Sequence, residues 1–152
     1  MDERILQPEL LCQVAIIVND IEATSCAWAR VLGVEVPPWS LTDPAEQSHI
    51  SYRGESTPAR AKLAFFDLGQ VRLELIEPVD GPSTWREFLD AHGQGIHHIA
   101  FTVRGMDDVL ARLESIGGET VQRGDYVGGR YAYVDAVAGL GAVLELLENF
   151  EV

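Results

Sequence analysis

The sequence predicts an α+β fold in which two βαβββ repeats form a curved eight-stranded cup with the helices outside. Two internal matches and one compositional observation carry that expectation. Shifted by 85 residues, QVAIIVNDI from Gln13 falls on HIAFTVRGM from His98, and Ala15, Val18, Gly33 and Val36 meet Ala100, Val103, Gly118 and Val121. Further on, AFFDLGQVRLELIEP from Ala64 runs alongside AYVDAVAGLGAVLELLEN from Ala132. That match sets Asp67 on Asp135 and, with three extra residues in the second turn, Glu74 on Glu145. At 152 residues, 47% of them hydrophobic, the chain has the length of one domain with a sizeable core.

Each copy opens on a strand of alternating apolar residues. A helix follows, DIEATSCAWARVLG or MDDVLARLESIGG, closed by a glycine suited to a left-handed cap. Further strands complete each copy, the first half covering about 10–79 and the second about 95–150 of a single domain over 1–152. The first copy is the longer, through a Pro-rich and polar segment, 37–60. Between the copies, GPSTWREFLDAHGQG reads as a linking helix over about 82–93, with a capping box from Thr84 to Glu87 and Trp85, Phe88 and Leu89 behind it. In GIHHIAFTV, strict alternation sends His98, Ala100 and Thr102 to one face and His97, Ile99 and Phe101 to the other, so one imidazole of the pair looks into a given cavity.

The net charge of −13 excludes partners that are themselves polyanions, nucleic acid and anionic membrane surfaces alike. No apolar stretch reaches the ~18 residues of a membrane span. The acidic, Pro-broken start MDERILQPEL lacks signal-peptide character, and a cytoplasmic protein is expected. Cys12 and Cys26, with no CxxC spacing, read as reduced, packed thiols.

Two repeated positions carry groups that core packing does not explain. Gln13 and His98 occupy one and Glu74 and Glu145 the other, in strands otherwise built from Val, Leu, Ile and Ala. In each L-E-L strand the leucines pack on helices while the glutamate points into the cup. One imidazole, two carboxylates and an amide oxygen form a mostly hard donor set suited to Zn, Ni, Co, Mn or Mg. Such an ion leaves room for a substrate with a carbonyl and an adjacent oxygen. It acts as a Lewis acid while a neighbouring carboxylate carries the proton from the adjacent carbon.

The segments QVAIIVNDIEA, LELIEP, GIHHIAFTV and LELLEN, in their paired βαβββ order, resemble the vicinal oxygen chelate superfamily. That superfamily includes glyoxalase I, methylmalonyl-CoA epimerase, extradiol dioxygenases and small drug-binding resistance proteins, and the resemblance spans nearly the whole chain. It implies one divalent metal ion on Gln13, Glu74, His98 and Glu145, because the first and last strands of each half supply one ligand apiece. It also implies Glu145 as the ligand nearest the proton transfer, His97 as a structural neighbour of His98, a homodimer, and a small-molecule substrate, with acyl-CoA thioesters among the candidates.

Within the superfamily, KLAFFDLGQVRLELIEP followed by a helix and GIHHIAF is closest in wording to methylmalonyl-CoA epimerase, which implies isomerase or epimerase chemistry. Gln13 stands where that family usually has a histidine. The acid it places before the KLAFF strand falls near Pro58, leaving Glu55 as the nearest candidate for a second base. The Gln, Glu, His, Glu set is also one that glyoxalase I, a lactoylglutathione lyase, uses. Ile17, Pro78 and Gln94, however, stand where its glutathione contacts are expected. Extradiol chemistry prefers two histidines and one carboxylate, which Gln13 disfavours. A non-catalytic, drug-sequestering protein is the rival from another class, although its relatives typically lose the metal ligands retained here. Arg72 shares the parity of Glu74 and is a candidate for holding an anionic substrate group. Arg130, Tyr131 and Tyr133 in GDYVGGRYAYVD are candidates for lining the pocket beside Glu145. Glu77 and Glu148 also repeat, and read as solvated strand ends.

Overall fold

A computed structural model describes residues 4–150. In the first repeat, β1 (Leu11–Ile17), α1 (Ile21–Leu32) and β2 (Ser40–Leu41) are followed by a short helix α2 (Ala45–Ser48) and a hairpin of β3 (Ser51–Tyr52) and β4 (Glu55–Ser56), then by β5 (Arg60–Asp67) and β6 (Arg72–Val79). A linking helix, α3 (Thr84–His92), leads to β7 (Gly95–Thr102), α4 (Met106–Ser115), β8 (Glu119–Tyr126), β9 (Gly129–Ala136), the single turn α5 (Val137–Leu140) and β10 (Ala142–Asn149). All strands join one curved sheet in the order β2-β5-β6-β1-β7-β10-β9-β8-β3-β4. The order β5-β6-β1 in one half is mirrored by β9-β10-β7 in the other, and β1 and β7 pair antiparallel at the centre. This is the cup that the repeats require.

The strand count is ten rather than eight. The two extra strands come from the polar segment 37–60, where Arg53 (φ 50°) and Gly54 (φ 82°) form a two-residue turn with both central residues left-handed. That geometry matches the twist of a hairpin. In the second half β8 turns directly into β9, whereas in the first half residues 42–59 intervene between β2 and β5. The inserted β3 pairs with β8, so chain belonging to the first repeat seals the edge of the second.

Alternation sorts the apolar residues into an outer and an inner layer. On the outer face, Leu73 and Leu75 of β6 pack with Val18, Ile21 and Ala29 beneath α1. Leu144 and Leu146 of β10 pack with Met106, Leu110 and Leu113 of α4. On the inner face Ala15, Ile17, Ile76, Val121 and Tyr133 form a third cluster, which Trp85 of α3 enters. The linking helix therefore closes the cup from inside instead of covering its outside with α1 and α4. Its cap also lies one residue earlier than the sequence signature placed it. Ser83 accepts from the Arg86 N–H, while the Thr84 hydroxyl turns to His97 and Glu87 binds Arg53. Thr84 and Glu87 have tertiary partners, and those override the local capping pattern.

Glu77 and Glu148 prove structural rather than solvated. Glu77 accepts from the Ile21 N–H at the start of α1, and Glu148 from the Met106 N–H at the start of α4. Each meets a cation from the neighbouring strand, Lys62 or Arg130. A carboxylate on unpaired helix N–H groups is favoured by hydrogen bonding and by the helix dipole. Each repeat thus fastens its helix to its last strand in the same way.

Candidate metal centre

Two β-bulges set the direction of the central side chains. In the β1–β7 ladder Leu11 faces Phe101 and Gln13 faces Ala100, while Ala15 faces His98 and Ile16 faces Ile96. Cys12 and His97 are the extra residues, each immediately before a donor at the repeated position. A bulge adds an unpaired residue and bends its strand, which re-aims the side chains around it. The strict alternation expected for the two histidines therefore fails at this point. Both are buried, and their Nδ1 atoms are 2.8 Å apart.

Glu74, His98 and Glu145 offer one donor atom each, all lying within 4.8 Å of one another. His98 Nε2 is 3.6 Å from Glu74 Oε1 and 3.3 Å from Glu145 Oε1. Alanine beside each donor makes room for the cluster: Ala15 pairs with both Glu74 and His98, and Ala100 with both Gln13 and Glu145. Burial pushes the Glu74 carboxyl well above the usual carboxylate range, with the nearby Glu145 charge adding to the effect. Burial likewise raises Glu145 to about 8, against the opposing influence of a Tyr133 hydrogen bond and the Arg72 charge. Burial lowers His98 to about 3, which keeps the imidazole neutral. The residues fit a divalent cation. Gln13 Oε1, Glu74 Oε1 and His98 Nε2 are buried with no hydrogen-bond partner, and orphaned polar atoms of this kind are costly unless something binds them.

The first turn of α3 supports two of these donors. For His98 to present a lone pair at Nε2, its Nδ1–H donates to His97 Nδ1, and His97 Nε2–H donates to the Thr84 hydroxyl at 3.1 Å. The backbone N–H of Thr84 is held in turn by the buried Gln122. From the next residue, Trp85 Nε1–H donates to the Tyr133 hydroxyl at 3.0 Å, and Tyr133 stands directly opposite Glu145 in the β9–β10 ladder. Thr84 and Trp85 are prominent in the sequence only as parts of a helix start. Gln122 leaves no signal there, because its partners come from α3 and β9.

The cluster lies at one side of a cavity of about 380 Å³ lined by Gln13, Glu74 and Glu145, by Phe65, Trp85, Tyr131 and Tyr133, and by Ser48 and Ile50 of the insertion. Arg72 also lines it. Arg130 does not. It projects from the opposite face of β9, where Glu148 and Asp107 hold it, because its parity is that of Ala132 and Val134 under α4. Glu55 is exposed on the β4 edge and outside the cavity. Ile17 is buried in the inner cluster, the Gln94 side chain accepts from the Asn19 N–H, and neither residue lines the cavity.

Pseudo-symmetric βαβββ halves that bring Glu74, His98 and Glu145 together inside one curved sheet define the class of this cup-shaped fold. The chain belongs to the glyoxalase/bleomycin resistance protein/dioxygenase superfamily, whose family model matches residues 12–134. It is 34% identical over 92 residues to the uncharacterised protein YqjC of Bacillus subtilis, a stretch that covers 59% of this chain and 66% of that relative's length. Its fold is shared with methylmalonyl-CoA epimerase from Mycobacterium tuberculosis, at 22% identity and a TM-score of 0.66, over 96% of this chain and 93% of that one. It is also shared with a Streptomyces coelicolor methylmalonyl-CoA epimerase variant in complex with 2-nitronate-propionyl-CoA, at 23% identity and a TM-score of 0.63, over 93% and 95% of the two chains. Among the described residues no helix is long and apolar enough to cross a membrane.

Proposed function

We propose that the protein is a metal-dependent enzyme of the isomerase type that moves a proton on the carbon beside a substrate carbonyl. The supporting observation is the cluster of Glu74, His98 and Glu145 at the side of a cavity of small-molecule size, whose wall Glu74 and Glu145 share with Gln13 and its orphaned amide oxygen. In this reading Gln13, Glu74, His98 and Glu145 hold one divalent ion. When bound, such an ion supplies Lewis-acid polarisation of the carbonyl, which acidifies the neighbouring C–H. Glu145 carries the proton, since its carboxylate lies in the donor cluster and lines the cavity where the acidified C–H would sit. Tyr133 orients it with Trp85 behind, while Thr84 and His97 hold the His98 ring in one tautomer. With Glu55 outside the cavity, the reading favours one carboxylate that both removes and returns the proton. The remaining cavity acids among the described residues, Asp43 and Asp125, are reached by solvent. The positions of Ile17 and Gln94 weigh against a glutathione adduct as substrate.

Elemental analysis of protein purified without added metal, followed by exchange of substrate α-protons with solvent deuterium over a panel of carbonyl substrates, tests the reading. We expect a near-stoichiometric divalent ion and metal-dependent exchange. Ligand binding by metal-free protein, with no exchange on any substrate, favours the drug-sequestering alternative instead.

A further inference from the structure

We propose that the cavity takes a small free monocarboxylate with an apolar or aromatic body, anchored on Arg72, rather than an acyl-CoA. The inference rests on the proton-transfer reading for the ligand's carbonyl end and names the substrate class for that site. Arg72 opens β6 two residues before Glu74 and pairs with Gln13 in the β1–β6 ladder, which puts it on the cavity face. It is the one Lys or Arg lining the cavity among the described residues. Its guanidinium carbon lies 4.4 Å from the centroid of the Phe65 ring, and it makes no hydrogen bond or ion pair among the described residues. Other basic side chains are already engaged: Lys62 with Glu77, His49 with Asp125, Arg53 with Glu87, and Arg130 with Glu148. A guanidinium held against a ring with its N–H edges unused presents a fork matched to a carboxylate. The repeat adds an independent point. The register that sets Glu74 on Glu145 sets Arg72 on Val143, so this cation is no part of the symmetric framework and serves one side of the cup alone.

Charge at the mouth disfavours the larger anion. About 380 Å³ lies near the lower end of the ~300–1,000 Å³ typical of small-molecule sites. Phe65, Trp85, Tyr126 and Tyr131 give it aromatic walls. Asp43 and Asp125 line its solvent-reached part, and the whole chain carries −13. The several phosphate charges of a CoA moiety require cations around a mouth, and here they meet acids. A single carboxylate that passes to Arg72 does not face the same repulsion.

Calorimetric titration of the metal-loaded protein with phenylpyruvate, its methyl ester and propionyl-CoA reads the preference directly. Phenylpyruvate should bind at least ~10-fold more tightly than either of the others, the margin a charge-assisted carboxylate pair supplies. Arg72→Met keeps the stem over Phe65 and should abolish the preference with metal content unchanged, while Arg72→Lys should recover part of it. Propionyl-CoA binding as tightly as phenylpyruvate, or a preference that survives in Arg72→Met, overturns the assignment. So does failure of both phenylpyruvate and 4-methyl-2-oxopentanoate to bind at millimolar concentration. Deuterium exchange separates the two readings. A carboxylate that binds through Arg72 but exchanges no faster than in buffer overturns the proton transfer and supports the anchor, whereas exchange on ester or thioester without carboxylate preference does the reverse.

Discussion

At the scale of single residues, Glu145 and His98 do different work at nearly the same point, and substitution separates them. Glu145→Gln keeps shape and an oxygen donor while removing charge and basicity. The ion should persist with weakened affinity while α-proton exchange falls by ~10²–10⁴-fold, the usual contribution of a positioned base. His98→Ala removes a neutral donor outright and should weaken the metal by at least the ~10–100-fold that outer-shell changes cost. If both variants keep full metal content and exchange, the centre lies elsewhere. Acidity gives a second residue-scale prediction. A folded-state carboxyl raised to about 8 binds a proton that the unfolded chain has already released, so between those two pKa values folding stability falls as pH rises. The lowered histidines act in the opposite sense, but only below their ordinary value of 6.5. From about 6.5 to about 8 the carboxyls alone count. Chelator-treated protein should therefore melt at a lower temperature at pH 8 than at pH 7. With a divalent ion present the trend should shrink or reverse, because the ion binds the deprotonated groups. A chelated protein that melts higher at pH 8 contradicts this electrostatic account.

At the scale of elements, the two bulges and the first turn of α3 matter more than any strand's propensity. His97 is held between Thr84 and His98, and Phe88 and Tyr133 meet its ring edge to face. His97→Phe preserves an aromatic in that pocket but leaves His98 Nδ1–H unpaired. Metal affinity should drop by ~10–100-fold, with far-ultraviolet dichroism unchanged; an unaltered affinity would show that the relay does not orient His98. The Glu77 and Glu148 clamps are a stability device of the same scale. Glu77→Ala and Glu148→Ala should each cost ~0.5–2 kcal/mol in denaturant unfolding, the range for losing a helix-capping side chain, with the metal retained. The repeat announced both glutamates, yet a pattern of strand ends says nothing about which helix start lies beneath them. For the same reason Arg130, read as a pocket residue beside Glu145, turns out to sit under α4. Its parity along β9 is opposite to that of Tyr131 and Tyr133, and the face chosen is visible only once β9 is paired with β10.

For the whole molecule, the donors belong to β1, β6, β7 and β10, and the insertion between β2 and β5 belongs to the cavity. Replacing residues 42–59 with a two-residue turn like the one joining β8 to β9 should leave metal binding within ~10-fold, since no donor is lost. It should also abolish productive substrate exchange, because Ser48, Ile50 and Ala59 disappear from the wall. Some stability should go too, as Ile50 and Ala59 leave the inner cluster. Full exchange activity in the shortened protein would show that the wall is dispensable. The sequence by itself determined the two-fold plan of this protein: which strands are equivalent, that Leu73, Leu75, Leu144 and Leu146 face helices, and that Gln13, Glu74, His98 and Glu145 share one side of the sheet. It could do so because side-chain period and duplication are local properties of the chain. Tertiary structure alone decided that the polar insertion crosses to β8 and raises the strand count to ten, that α3 plugs the cup and braces His98 and Glu145, and that bulges at Cys12 and His97 break the alternation. Those features depend on pairings between residues far apart in sequence, and no local pattern records which distant partner an edge strand, a helix start or a bulged histidine will meet.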